Sequence, residues 1–527
     1  MNSGPRTSDP RTSDPRTSDR PQSRPGRFDA ATPQIGTMLL LFVVAAIFEA
    51  KNLFSLSALS NGDIWWHLRT GIWILQNHRV PHSGLFSQSL GLPWIASSWA
   101  YDLLLAFAFR MLDLRSIPVL LMAFKFALAM VTFLLAGGLR GRFWPAVVLS
   151  ATAQYILGSF QPGPSYCSML FFAVELLLLN EGRNTGRVRL LFWLPPLFLV
   201  WANLDIQFVY GILLLALFLI TSLIQGLGRR SGVEPSPQKS PAVSPANAGI
   251  LATLSVIATL VTPYSYRLYG VFFASVSSVA NRYLPDFHAM SFRRPQDYVL
   301  MLLTMAAFLA LGLRRSRDPF RIAVMIGCTM LSFHAQRDAW VAALASIAVI
   351  AEAIRCPGGT APADCQRAWT PQVAMAGGLS VVILMLTAAL GIPRSHEALL
   401  AKAAQTYPVA ACNYIREHRR EDQRENRRED QLPQPLFNAY EWGGFLIWYL
   451  PEYPVAIDGR TGLYDDDFIV QYFKTMNADV PYQAYPALAQ AGTLLLPRNS
   501  LMGEALSGVP AFRVAYSDSV AVVLTRP

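Results

Sequence analysis

Asp63, His67 and Arg69 lie close together near the start of the stretch NGDIWWHLRTGIWILQNHRVPHSGLFSQSLGLPWIASSW, Asn61 to Trp99. A carboxylate one helical turn from an imidazole can take a proton from a hydroxyl or contribute to a metal site, and a guanidinium beside them can clamp a phosphate. A structural role is equally open. An acid just ahead of a helix serves as its N-cap by accepting bonds from the free N–H groups of the first turn, and a cap can still face a substrate. Far downstream, Arg337 and Asp338 follow His334 in otherwise apolar sequence. Ionisable groups in such places are costly unless they are paired or reach water. Arg337 is therefore either a phosphate clamp or half of a structural pair. Arg293 and Arg294 add cations in the polar segment Tyr264 to Asp297, and Asp458 and Arg460, in AIDGR, are a candidate binding pair with an internal ion pair as the alternative. Asp205, in WANLDIQF, reads as a loop residue joining two apolar runs. Glu175 and Lys125 lie deeper in apolar sequence, where core pairing is the default.

The elements that must position these groups are apolar helices. The chain of 527 residues is 53% hydrophobic, 12% aromatic and only 15% charged, which excludes an ordinary soluble protein and indicates a polytopic membrane protein. Its net charge of +10 is concentrated in the N-terminal tail and in short loops between apolar runs. That is the positive-inside pattern, and it does not call for nucleic acid. The five cysteines, Cys167, Cys328, Cys356, Cys365 and Cys412, have no CxxC spacing, so neither a zinc site nor a disulfide framework is indicated. P-loop, GxSxG, HExxH and Rossmann fingerprints are absent from the sequence.

Residues 1–35 open with PRTSD three times over and read as a disordered cytoplasmic tail. A first span, Gly36 to Leu56, then carries the chain outward, so the 61–99 loop faces the extracytoplasmic side. Ile64, Leu68, Ile72 and Leu75 recur at helical spacing, which predicts a helix from Asp63 to Gln76 lying in the membrane interface. The loop's five tryptophans suit the headgroup zone. Further apolar runs fall at 98–112, 116–137, 143–159, 166–181, 188–204, 206–226, 247–263, 297–313, 319–335, 338–355 and 372–392, giving about 11 to 13 spans. Orientation read backwards from the basic loop Arg314 to Arg321 places the C-terminus outside; read forwards from the tail, it ends inside. The conflict lies between Trp99 and Arg142, where a short helix that does not span, or one crossing more, would remove it. Residues 228–247 form a Pro/Ser/Gly-rich flexible linker. Residues 36–393 thus make the membrane domain, and 394–527 a soluble extracytoplasmic α/β domain. Its strands are expected at Pro435–Asn438, Val455–Asp458, Thr493–Leu496, Phe512–Tyr516 and Val520–Thr525, the last two as a hairpin.

The blocks GDIWWHLRTGIWIL, VPHSGLFS, FLVWANLDIQFVYG, VTPYSYRLYG, FNAYEWGGFLIWYLP and AIDGRTGLY resemble those of a bacterial multipass group within the GT-C superfamily of integral-membrane glycosyltransferases. The resemblance runs from about Gly36 to Pro527 and implies a multi-pass protein of the cell (inner) membrane. It also implies transfer of a sugar from a polyprenyl-phosphate donor to a glycan, lipid or protein acceptor. Carried over, Asp63 is the loop acid acting as base or metal ligand, and Arg337 meets the lipid-linked phosphate. His67, Arg69, Arg293 and Arg294 are further candidate substrate or phosphate contacts that the resemblance does not itself assign. Two departures stand out. Asp205-Ile206-Gln207 replaces the group's His-Gly-Gly, and no second acid forms a DxD at Asp63, which argues against an obligatory metal and leaves Asp63 as a ligand only if a divalent metal is used. The alternative is a non-catalytic membrane scaffold that presents the outer α/β domain, with Asp458 and Arg460, to a partner. It expects the loop's polar groups to pack away without leaving a cavity.

Overall fold

Long apolar runs broken by Pro, Gly and short polar turns build a helical bundle, capped at one end by a small sheet. The computed structural model describes residues 59–89, 91–138, 143–158, 160–230, 243–316, 318–354, 392–393, 395–425 and 432–526. The tail 1–35, the span Gly36 to Leu56, most of the 228–247 linker, nearly all of the 372–392 run, Cys356 and Cys365 lie outside the described residues.

Helix α1 (Gly62–Asn77) is capped by Asn61, whose side-chain oxygen accepts from the Asp63 N–H at 2.9 Å. The cap expected of Asp63 is therefore supplied by its neighbour, and the Asp63 carboxylate is left for other work. α2 (Trp99–Leu112) pairs with α1, and Asp113, with φ of 52°, breaks the helical path before α3 (Ser116–Leu135). Then follow α4 (Phe143–Leu157), α5 (Ser165–Thr185), α6 (Leu194–Leu204), α7 (Phe208–Arg230), α8 (Pro245–Thr259), α9 (Arg267–Ser277), α10 (Pro295–Leu313), α11 (Pro319–His334) and α12 (Ala339–Ala353).

All of these from α3 onward except α9 run back and forth between two polar ends. At one end Arg183 Nη2 donates to both Asp318 oxygens at 2.9 and 2.7 Å, Asn184 Nδ2 donates to Glu352 at 2.8 Å, and Arg321 lies 3.4 Å from Glu352. At the other end the helix termini converge on a cavity. α2 is different. Its first residue donates from Trp99 Nε1 to Asn203 Oδ1 at 3.1 Å, and beyond its last turn Asp113 meets His396 at 2.5 Å, so both ends stay on the cavity side. The helical stretches Trp99–Leu135, Phe208–Leu227 and Pro295–Leu313 are long and apolar enough to cross a membrane. Leu302, Met305, Leu309 and Leu313 form an exposed apolar row along α10, as lipid contact requires.

The chain after Ile392 contributes α13 (His396–Ala403), α14 (Val409–Glu425), α15 (Tyr440–Tyr449), α16 (Asp466–Met476) and α17 (Leu501–Ser507) around a mixed four-stranded sheet. Strand β1 (Leu436–Asn438) runs parallel to β2 (Thr493–Pro497), while β3 (Arg513–Ser517) and β4 (Ala521–Thr525) form the expected hairpin, in the order β1-β2-β4-β3. Leu494, Leu496, Val522 and Leu524 join one apolar cluster and Leu495, Ala521 and Val523 another, so both faces of the central strands are buried. This is why TLLLP and AVVLT read as unbroken apolar runs. The strand expected at Val455–Asp458 is not one. Val455 makes a single bridge, to Ser87 of the first loop, and the chain turns away at once into the Asp458–Arg460 bend.

The first loop and the C-terminal domain share a core. Ile64, Trp65 and Leu68 of α1 pack with Trp442, Phe445 and Leu446 of α15 and with Tyr407. A Cβ on Gly444 would fall 2.0 Å from the Gly62 carbonyl oxygen, and one on Gly443 2.2 Å from that of Ile457, so the paired glycines of EWGGF let three backbones touch. Trp65 is edge-on to Tyr407 and Phe445 and fully buried, and Trp94 is buried as well. These two tryptophans, expected in the headgroup zone, serve instead as core beneath the C-terminal domain.

Candidate functional site

A cavity of about 460 Å³ lies where the loop, the bundle and the polar segment before α10 meet. Asp63 and Arg337, far apart in sequence, both line it, together with His67, Asp205, Asp286 and Arg294.

Asp63 is placed by the first turn of α1. Its Oδ1 accepts from Trp66 Nε1 at 3.1 Å, and a Cβ on Gly459 would fall 1.9 Å from the same oxygen, so only glycine fits against the carboxylate. The carboxylate opens onto the cavity but stands in a deep recess, where loss of bulk hydration raises its pKa above the ordinary value. His67 and the Trp66 N–H oppose that rise, while Asp458 and Asp286 add to it. The result is a carboxylate of increased basicity.

His67 is held from behind. Its Nδ1 lies 2.5 Å from Asp102 Oδ1, both side chains are buried, and the Trp66 ring stacks on the imidazole at 3.6 Å. The buried Asp102 fixes the ring's orientation, while His67 keeps a place on the cavity wall.

Arg337 sits in the short turn between α11 and α12. Its Nε is 3.7 Å from Asp338 Oδ1, a loose pair, and its guanidinium lies over the Phe287 ring at 4.0 Å. Asp338 is held by the Tyr210 hydroxyl, which donates to Oδ2 at 2.8 Å. Ring and carboxylate set the plane of the guanidinium and leave donors to face a ligand. Arg294 also lines the cavity but is tied to Asp297 at 3.0 Å.

Four sequence candidates do not reach the cavity. Arg69 stands beside the Phe86 ring at 5.6 Å, and Arg293 is exposed and off the cavity lining. Asp458 and Arg460 form the internal pair held open as the alternative. Arg460 Nε and Nη2 each donate at 2.8 Å, one to each carboxylate oxygen, the Tyr464 hydroxyl adds a bond of 2.7 Å, and Asp458 and Arg460 are buried. Burial alone would raise the Asp458 pKa, but the Arg460 charge and these bonds more than offset it and hold it below the ordinary value. Asp458 thus stays ionised behind Asp63.

Asp205 is the main residue that sequence reasoning passed over. It sits at the break between α6 and α7, 4% exposed, and its Oδ2 accepts from Ser168 Oγ at 2.5 Å while Ser168 in turn accepts from Trp201 Nε1 at 2.7 Å. Burial lifts its pKa from 3.8 to about 6. An acid between two apolar runs, beside a tryptophan and an amide, was the only signal, and by itself it does not separate a loop residue from a site residue. Among the described residues, no three His, Cys, Asp or Glu side chains come close enough together to hold a metal ion.

No protein-family model matches the chain, and no curated protein matches it. Among solved structures it is similar to an oligosaccharyltransferase of Archaeoglobus fulgidus tethered to an acceptor peptide, with 13% identity over 88% of this chain and 69% of that one and a TM-score of 0.49. It is also similar to the oligosaccharyltransferase AglB of the same archaeon in complex with an inhibitory peptide and a dolichol-phosphate, with 12% identity, the same coverage and a TM-score of 0.48. These likenesses are of chain path; the chemistry of the site is read from its own residues.

Proposed function

We propose that the protein is a multi-pass membrane glycosyltransferase that moves a sugar from a polyprenyl-phosphate donor to an acceptor hydroxyl at the extracytoplasmic face. The observation that carries this reading is that Asp63 and Arg337, far apart in sequence, line one cavity. The acceptor oxygen attacks the anomeric carbon, the bond from that carbon to the phosphate oxygen breaks, and the polyprenyl phosphate leaves with the bonding pair. Asp63 takes the acceptor's proton, and its raised pKa makes it a stronger base for that task. Arg337 stabilises the charge gathering on the departing phosphate, the larger contribution in a confined site. Arg294, turned toward Asp297, can shift to assist. A scaffold would leave the loop's acid buried against the spans; a carboxylate kept facing a cavity favours the transferase.

The test is release of lipid phosphate from labelled polyprenyl-phosphate sugars by the purified protein. Asp63→Asn is expected to lower turnover by about 10²- to 10⁴-fold, and Arg337→Ala by on the order of 10²-fold. The wild-type rate should climb with pH as Asp63 ionises and then level off. Wild-type turnover by folded Asp63→Asn would remove Asp63 from the mechanism and the reading with it.

A further inference from the structure

The transfer step leaves one wall of the cavity unused. Gln207 is only 9% exposed and lines the cavity, yet its Oε1 has no hydrogen-bond partner among the described residues. A buried amide oxygen left unpaired is costly, so the site is built for a donor that a ligand supplies. Two residues away Asp205 lines the same wall, fixed in place by Ser168 and Trp201, and its carboxylate can accept more bonds than those it makes.

We propose that Asp205 and Gln207 form a polyol subsite that accepts hydrogen bonds from two neighbouring hydroxyls of a hexose-like ring. The rest of the lining fits that ligand. Gln161, Gln296 and Gln336 add carboxamides, which both donate and accept as hydroxyls do. Trp66 and Phe160 supply aromatic surface for the apolar C–H side of a sugar ring. A cation is a poorer fit, because the acids along the cavity are spread out rather than grouped. The inference rests on the transferase reading for how the polyol arrives: as the donor's sugar or as part of the acceptor. Asp205 and Gln207 would then select which hydroxyl pattern is used, since a site built to bond a hydroxyl rejects an analogue that lacks it.

The experiment uses the full-length protein in nanodiscs with three probe sets. The first is undecaprenyl phosphate without sugar; the second, methyl glucoside, galactoside and mannoside with their monodeoxy analogues; the third, the same sugars on undecaprenyl phosphate. Wild type is expected to prefer at least one parent sugar over one of its deoxy analogues by about tenfold or more. Gln207→Met, matched in volume but without the amide oxygen, should reduce that ratio to about twofold, whereas Gln207→Glu, which keeps an acceptor, should preserve it. Gln207→Ala serves if the methionine variant unfolds. Discrimination among lipid-linked sugars assigns the subsite to the donor, and discrimination among free glycosides alone assigns it to the acceptor. Failure of wild type to bind undecaprenyl phosphate would defeat the donor reading while leaving the glycoside arm to judge the subsite. Equal binding of every parent and deoxy analogue by wild type, or unchanged discrimination in Gln207→Met, overturns the proposal.

Discussion

In the proposed transfer, Asp63 needs its carboxylate held in position, and Gly459 is what it rests against. Gly459→Ala places a methyl group where the Asp63 oxygen now sits, so turnover should fall nearly as far as in Asp63→Asn, in the same lipid-phosphate assay. Asp205 carries a different kind of cost. In the folded chain it holds its proton up to about pH 6, against 3.8 for the free carboxyl. The folded state thus binds the proton more tightly than the unfolded one. Asp205's contribution is most favourable below about pH 4 and is lost as pH rises toward 6. Asparagine at 205 never ionises. The melting temperature of Asp205→Asn should therefore gain on wild type between about pH 4 and 6 and then hold a constant lead, in thermal unfolding across that range. A lead that stays flat from pH 4 to 8 would show that Asp205 ionises as easily in the fold as outside it.

At the scale of elements, α1 is gripped between α2 and α15, and the grip on the α15 side depends on backbone contact. Gly444→Ala would push a methyl group against the Gly62 carbonyl, which cannot swing aside as a side chain can. The expected loss is about 1–3 kcal/mol of stability, read as a lower melting temperature, together with reduced turnover because Gly62 precedes Asp63. Gly270→Ala, where a Cβ meets nothing within 4 Å, is the matched control and should leave both nearly unchanged. The helical spacing of Ile64, Leu68 and Ile72 was enough to predict α1. It could not reveal that a distant GlyGly pair covers it, because nothing in a local repeat says what will pack on its far side.

At the scale of the whole molecule, the course of α2 bears on how the chain is threaded. A helix whose two ends both meet the cavity side does not carry the chain across the bundle. The first loop and the C-terminal sheet must lie on one side of the membrane, since Gln88 Nε2 donates to the Leu436 carbonyl at 2.6 Å. Single cysteines in place of Ser519, on the sheet's hairpin, and Arg187, at the opposite polar end, should label with a membrane-impermeant maleimide from opposite sides. In intact spheroplasts only the Ser519 variant is expected to react. Labelling of both from one side would overturn the placement of these two ends on opposite faces.

The sequence by itself determined the apolar, helical character of the bundle, the hairpin of the C-terminal sheet, and the choice of Asp63 as a candidate site residue. Each of these follows from hydrophobic period, local turn chemistry or an acid out of place in apolar surroundings, all of which act over a few residues. Only the tertiary structure decided that Asp63 and Arg337 line one cavity, that Asp205 and Gln207 line it too, and that Asp458 and Arg460 pair with each other. Those outcomes depend on which distant backbones can come close enough to touch, and that depends on volume and packing across the whole chain rather than on any stretch of it.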